Sequence, residues 1–191
     1  MAGKMQIYDS SGARLYLTGE ERKAFEMEAE KYPRETSTFA LFMLQTGCRI
    51  SEALALRSDL IDMSNQSVRI ESLKKRKKGV FREIPLSPAL LKALDYSFDL
   101  QAKRKAPFNL WKFSRTSAWR KITEIMEQAG IEGVHATPKG LRHGFAIACV
   151  EHKIPLNMIS KWLGHSSLET TAIYATASGQ EERNIASRLW L

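Results

Sequence analysis

Glycine and proline recur along this 191-residue chain at helix-length intervals, and the segments between them carry apolar residues at helical spacing. Thr18 and Glu21 form a capping box that opens a polar helix to about Tyr32, where Pro33, Arg34 and Glu35 interrupt it. Ser37 to Gln45 is mainly apolar, and Gly47 can take the positive φ that ends a helix before Arg49 restarts one through Leu56. Further on, Ser87 and Pro88 read as N-cap and first-turn proline of a helix reaching about Lys105. Helices are also expected from Ser114 to Gln128, from near Pro138 to about His152, and from Pro155 to Leu163, where Gly164 stops the last of these. Ser166 or Ser167 is expected to cap another through Ala175, and an amphipathic piece runs from Gly179 to Trp190. The period changes once. Val68, Ile70, Phe81, Ile84 and Leu86 fit two short strands around the basic run Lys74, Lys75, Arg76, Lys77, Lys78 and Gly79. No repeat or long linker divides the chain, so one compact α+β domain is expected, mostly helical, with a small antiparallel sheet whose hairpin has a charged tip.

Charge narrows the partners. The 29 basic against 21 acidic side chains give a formal net charge of +8, an excess that attracts polyanions and puts nucleic acid first. The longest apolar runs, such as Thr38 to Leu44, fall far short of the roughly 20 residues a membrane span needs, and no secretory signal opens the chain. A cytoplasmic location is therefore expected. Cys48 and Cys149 are too few and too far apart for a metal-binding pattern and read as small helix-packing thiols, with no metal or cofactor expected.

Four blocks in a fixed order carry chemistry. They are Thr46-Gly47-Cys48-Arg49-Ile50-Ser51-Glu52, the basic hairpin tip, Pro138-Lys139-Gly140-Leu141-Arg142-His143-Gly144-Phe145, and Leu163-Gly164-His165 through Thr171-Ala172-Ile173-Tyr174. Together they resemble the tyrosine recombinases, or phage integrase family, over roughly Leu17 to Trp190. The resemblance implies that family's catalytic-domain fold, with a three-stranded antiparallel sheet at one edge. It also implies site-specific breakage and rejoining of DNA through a covalent 3′-phosphotyrosine, without a metal or high-energy cofactor.

The residue types suit that chemistry. Attack on a phosphodiester puts negative charge on the non-bridging oxygens, which a metal-free site must meet with fixed cations. Arg49 and Arg142 fit, because a guanidinium donates two parallel hydrogen bonds and stays charged at any working pH. Considered alone, Arg49 would be assigned to an ion pair with Glu52 one turn on; within the block it is assigned to a phosphate clamp. Leu141 and Phe145 bury the face beside Arg142 and set it inward. Tyr174 is the nucleophile that the resemblance implies, and an ordinary tyrosine is nearly all neutral at pH 7. His165, nine residues before it, can bond the phosphate or accept a proton. The leaving 5′-oxygen needs an acid, which a hairpin lysine supplies: Lys74 or Lys75 is favoured, with Lys77 also in register. Arg76, Lys77 and Lys78 are expected to contact DNA phosphates.

Two departures from the family pattern stand out. Lys139 occupies the place usually held by histidine in the second arginine box. It can donate to a phosphate oxygen but cannot shuttle protons near pH 7 unless its pKa falls; some family members carry lysine here. His143 is expected to support the box structurally. Secondly, about 16 residues precede the first helix, so residues 1–16 read as an extension and 17–191 as a catalytic domain without a separate DNA-clamping domain before it, either a catalytic domain alone or a fragment of a longer integrase. The terminal helix, with Ile185, Leu189 and Trp190 on one face, is expected either to dock on a neighbouring protomer in a synaptic tetramer or to fold back on its own core. Relaxation of DNA in the manner of a topoisomerase, and a DNA-binding regulator without catalysis, are the competing readings.

Overall fold

In the computed structural model, residues 6–73, 79–102, 106–176 and 180–190 are described. The long helices are α1 (Gly19–Ala29), α2 (Arg34–Thr46), α4 (Pro88–Phe98), α5 (Arg115–Gln128), α6 (Pro138–Glu151) and α7 (Leu156–Leu163). Shorter ones are α3 (Ile50–Leu54), α8 (Glu169–Ala172) and α9 (Gln180–Ala186). Strands β1 (Ile61–Asp62), β2 (Ser67–Glu71) and β3 (Phe81–Pro85) form one antiparallel sheet in the order β1-β2-β3. Its register pairs Val68 with both Ile61 and Ile84, so the inward residues of all three strands stack on one face. The α+β class and the mostly helical content are as the sequence implies.

Local chemistry sets most helix starts. Thr18 closes the capping box with Glu21, and Ser87, Ser114 and Thr137 each accept a backbone N–H of the first turn. Four expectations need correction. Helix α2 begins at Arg34 and not at Ser37, because Pro33 occupies the N-cap and its fixed φ leads directly into the helix. Helix α4 stops at Phe98, well before Lys105, because Asp99 turns left-handed there and its backbone N–H bonds the Asp95 carbonyl. Neither Ser166 nor Ser167 caps a helix: α8 starts at Glu169, and residues Ile173–Thr176 form a separate 3-10 turn. The terminal piece is likewise split, into α9 and a 3-10 turn at Ser187–Leu189.

The core has two parts. The larger surrounds α2, where Trp111 meets Phe39, Phe42 and Phe98 at ring-centroid distances of 5.2, 5.1 and 6.0 Å. The smaller gathers Tyr16, Phe145, Ile147, Ile159, Leu163 and Tyr174. Helix α6 joins the two, giving Leu141 to the first and Phe145 to the second. Cys48 and Cys149 are buried free thiols, and burial pushes each up to about 11, which keeps them protonated. Among the described residues no helix is long and apolar enough to cross a membrane.

The start of α6 is set by a close approach. Gly140 lies against the His135 backbone, and a Cβ on it would overlap the His135 carbonyl oxygen. That neighbour is backbone and cannot rotate away. Gly140→Ala is therefore expected to lower stability by about 1–3 kcal/mol in denaturant titration, despite alanine's better helix propensity. Gly19→Ala, at an open position on α1, is the control and should leave the midpoint unchanged or slightly raised.

Candidate active site

Helix α2 ends where Gly47 turns left-handed at φ 58°, and its missing side chain makes room for the Phe145 ring, which any Cβ would overlap. Two residues later Arg49 caps α3. Its backbone N–H donates to Glu52 Oε2 at 3.0 Å and its Nη1 to Glu52 Oε1 at 2.8 Å. The ion pair weighed in the sequence as an alternative to a clamp is thus present. It orients a guanidinium whose side chain stays 25% exposed, so the pair is compatible with contact to an anion.

Glu52 itself is buried and serves a second arginine. Arg82, on β3, donates Nη2 to Glu52 Oε2 at 2.6 Å, Nε to the Trp162 carbonyl at 2.6 Å and Nη1 to Ser72 Oγ at 3.3 Å. Arg142, on α6, is buried as the sequence expected. Its Nη1 bonds the Gly47 carbonyl and its Nη2 the Leu163 carbonyl, both at 2.8 Å. Two of its five donors are committed there, and the rest can serve an anion. Burial, reinforced by the nearby Arg49 charge, lowers Arg142 to about 10, so it remains a cation at neutral pH. Arg49 and Arg82 share one carboxylate and Arg142 lies near with none of its own, which leaves an excess of positive charge that suits an anion.

The third block closes over this cluster. Gly164 caps α7 in the left-handed conformation and sends the chain to His165, whose Nδ1 lies 2.9 Å from Thr171 Oγ1. With the threonine hydroxyl donating, the imidazole proton sits on Nε2, a buried atom with no partner among the described residues. Tyr174, in the 3-10 turn after α8, is fully buried; its ring lies parallel to that of His165 with centroids 6.3 Å apart. Its hydroxyl is 2.8 Å from His143 Nδ1. Desolvation lowers both histidines to about 3, with Lys139 and Arg142 acting further on His143 and Arg142 and Arg49 on His165. Burial pushes Tyr174 up to about 12, against the opposing pull of Arg142 and Arg49.

The structure therefore brings together Arg49, Arg142, His165 and Tyr174. Lys139 is exposed on the first turn of α6, one turn before His143, on which its charge acts. Lys74, Lys75, Arg76, Lys77 and Lys78 lie outside the described residues; the hairpin flanking them is closed by Ser72 N–H donating to the Val80 carbonyl at 2.8 Å. Sequence reasoning missed Arg82 and Thr171, and gave His143 no contact with the tyrosine. Arg82 did carry a signal: counting alternate positions along β3 sets it inward beside Ile84, where a charged residue needs a partner.

Comparison with known proteins gives the family and the fold. The model of the phage integrase family matches residues 16–181. Tyrosine recombinase XerD of Mycobacterium tuberculosis is 31% identical over 154 residues, covering 75% of this chain and 48% of the relative. Tyrosine recombinase XerA of Pyrococcus furiosus is 30% identical over 183 residues, covering 90% and 60%. The chain thus spans about half to three-fifths of the length of these relatives. Among solved structures, a XerA recombinase superposes with TM-score 0.78 at 23% identity, over 92% of this chain and 65% of that one. A XerH recombinase bound to its palindromic difH substrate, in a post-cleavage complex, gives TM-score 0.75 at 20% identity, over 98% and 57%. The catalytic domain of bacteriophage HP1 integrase gives 0.65 at 21% identity, over 92% and 94%. With the matched segment spanning all four sequence blocks and the fold shared throughout, this chain belongs to the phage integrase family.

Proposed function

We propose that residues 17–191 form the catalytic unit of a site-specific DNA recombinase, which cleaves and rejoins strands through a 3′-phosphotyrosyl link, acting in the cytoplasm on double-stranded DNA. The observation that carries this reading is the pairing of Arg49 and Arg82 with the one carboxylate of Glu52 and the neighbouring Arg142, set beside a buried tyrosine and His165 Nε2, which has no partner among the described residues. Such a site is short of negative charge and supplies a nucleophile. A phosphodiester provides that charge and the atom to be attacked. The XerH relative in its DNA complex lends the same direction to the partner.

In the proposed step Arg49 and Arg142 hold the non-bridging oxygens, and His165 Nε2–H donates to one of them. Tyr174 Oη, its proton released to water as the arginine charge favours the phenolate, forms a bond to phosphorus while the bond from phosphorus to the 5′-oxygen breaks. Lys74 or Lys75 gives that oxygen its proton, and Lys139 at the rim donates to a phosphate oxygen. Arg76, Lys77 and Lys78 hold the flanking backbone. The free 5′-hydroxyl of a partner strand then reverses the reaction, so bond energy is conserved and no nucleotide is consumed. Pairing of two sites brings copies of the chain together in a tetramer, and the exposed Leu189 and Trp190, at 83% and 60%, offer a surface for docking on a neighbour.

The resting tyrosine is not ready to attack. With its pKa near 12, about one molecule in 10^5 is phenolate at pH 7. His143 cannot act as its base, since a buried imidazole held near 3 does not keep a proton at neutral pH. It holds the hydroxyl instead. Attack thus requires Tyr174 to leave His143 and meet the phosphate among the arginines, whose charge favours the phenolate.

Suicide-substrate trapping tests the reading: the chain is incubated with nicked duplex drawn from its own genomic neighbourhood, and a denaturation-resistant adduct is sought. Tyr174→Phe is expected to abolish the adduct while binding the duplex as before; an adduct from that variant would overturn the assignment. Arg142→Lys, which keeps the charge but loses the planar fork that spans both carbonyls, should slow single-turnover cleavage by about 10^2 to 10^3-fold. Acid sensitivity follows from the histidines. Because the unfolded chain takes up protons near pH 6.5 that buried His143 and His165 refuse until about 3, stability should fall as pH drops below 6.5. For His143 alone the loss between pH 6.5 and 5 is about 2 kcal/mol, measurable as a falling Tm, and His143→Asn should flatten that slope.

A further inference from the structure

Arg82 occupies the one kind of position on a strand where a charge is least expected. Strand β3 alternates outward and inward residues, and Arg82 takes an inward place with its side chain 5% exposed. Its three bonds run to three different parts of the site. Nη2 reaches Glu52 on α3, the carboxylate that also holds Arg49. Nε reaches the carbonyl of Trp162 in the last turn of α7, three residues before His165. Nη1 reaches Ser72, where β2 gives way to the basic run. The guanidinium also lies flat against the turn itself: a Cβ on Gly164 would come within 3.1 to 3.2 Å of its Nη1, Cδ and Cζ.

We propose that Arg82 is a positioning residue for strand cleavage, fixing Arg49, the His165 turn and the base of the basic hairpin relative to one another without touching the scissile phosphate. The proposal rests on the recombinase reading above and deepens it. Two features separate Arg82 from the phosphate-binding arginines. It is walled off from solvent where Arg49 is a quarter exposed, and its Nε and both Nη atoms are already bonded to protein. Stability alone is a weak reason to keep such a group, because a buried arginine–glutamate pair can often be replaced by apolar residues of similar volume without loss. A guanidinium with its planar fork can hold a carboxylate, a carbonyl and a hydroxyl in fixed directions at once. Methionine of similar length can fill the space but bonds to none of them.

The experiment compares the full chain with Arg82→Met and Arg82→Lys, reading DNA affinity and the single-turnover rate of adduct formation separately on the nicked genomic duplex. Arg82→Met is expected to slow adduct formation by about 10 to 100-fold, the range a misplacement near 1 Å produces, with affinity within about twofold. Arg82→Lys keeps the charge beside Glu52 but loses the fork, and should recover only part of the rate while remaining folded. Should Arg82→Met fail to fold, Arg82→Lys decides: a rate within twofold of the unmodified chain overturns the proposal. A second readout is coupling. Since Arg82 acts partly through Glu52 on Arg49, the double variant Arg49→Lys with Arg82→Met should lose much less than the product of the two single losses; a full product indicates general destabilisation and overturns the proposal. An unmodified chain that forms no adduct at all counts against the recombinase reading and this inference together, whereas an adduct with Arg82→Met at full rate removes this inference alone.

Discussion

The carboxylate of Glu52 is the hinge of the site. Buried on α3, it receives Arg49 at 2.8 Å on one oxygen and Arg82 at 2.6 Å on the other, so a single negative charge orders two cations. Desolvation alone would push this acid up; the Arg82 contact and the Arg49 backbone N–H instead hold it below the ordinary carboxylate range, ionised throughout the neutral pH range. Replacing it by a neutral group would leave two guanidiniums facing each other with no counter-charge. The surplus that remains when it is present is what a bound phosphate can neutralise.

The second constraint is the end of α7. The last carbonyls of a helix have no intrahelical donors and carry the negative end of its dipole, so a buried helix terminus needs cations or caps. Here Arg82 takes the Trp162 carbonyl and Arg142 the Leu163 carbonyl, while Arg142 also takes Gly47, the residue ending α2. Satisfying these termini and assembling the site are therefore one arrangement. The same bonds that complete two helices set the turn carrying His165 and draw the first and second arginine boxes together.

This explains what was legible in the sequence and what was not. Helix ends written in local chemistry, such as the Thr18–Glu21 box and the left-handed glycines at 47 and 164, could be read directly. Of the residues the resemblance picked out, the fold gathers Arg49, Arg142, His165 and Tyr174 in one place, while Lys139 is exposed and Lys74 and Lys75 lie outside the described residues. Bonds spanning distant segments could not be read this way. Arg82 with Glu52, Arg142 with Gly47 and His143 with Tyr174 join residues 30, 95 and 31 positions apart, and no local pattern encodes them. The start of α8 escaped for a related reason: two adjacent serines imitate a cap, while the Thr171 hydroxyl that matters points back to His165.

The site is consequently built of two parts with different mechanical character. The arginines are anchored to backbone carbonyls and a shared carboxylate by bonds that cross between helices and the sheet, so the cradle proposed for a phosphate is set without one. The proposed nucleophile is carried differently. Tyr174 sits in a short 3-10 turn following a helix of four residues, held by packing in the smaller core and by a hydroxyl contact to His143. A 3-10 turn has poorer hydrogen-bond geometry than an α-helix and yields at lower cost. In the proposed reaction the anion is recognised first by cations already anchored to protein, and the phenol, neutral while buried, becomes reactive only on reaching that positive cluster.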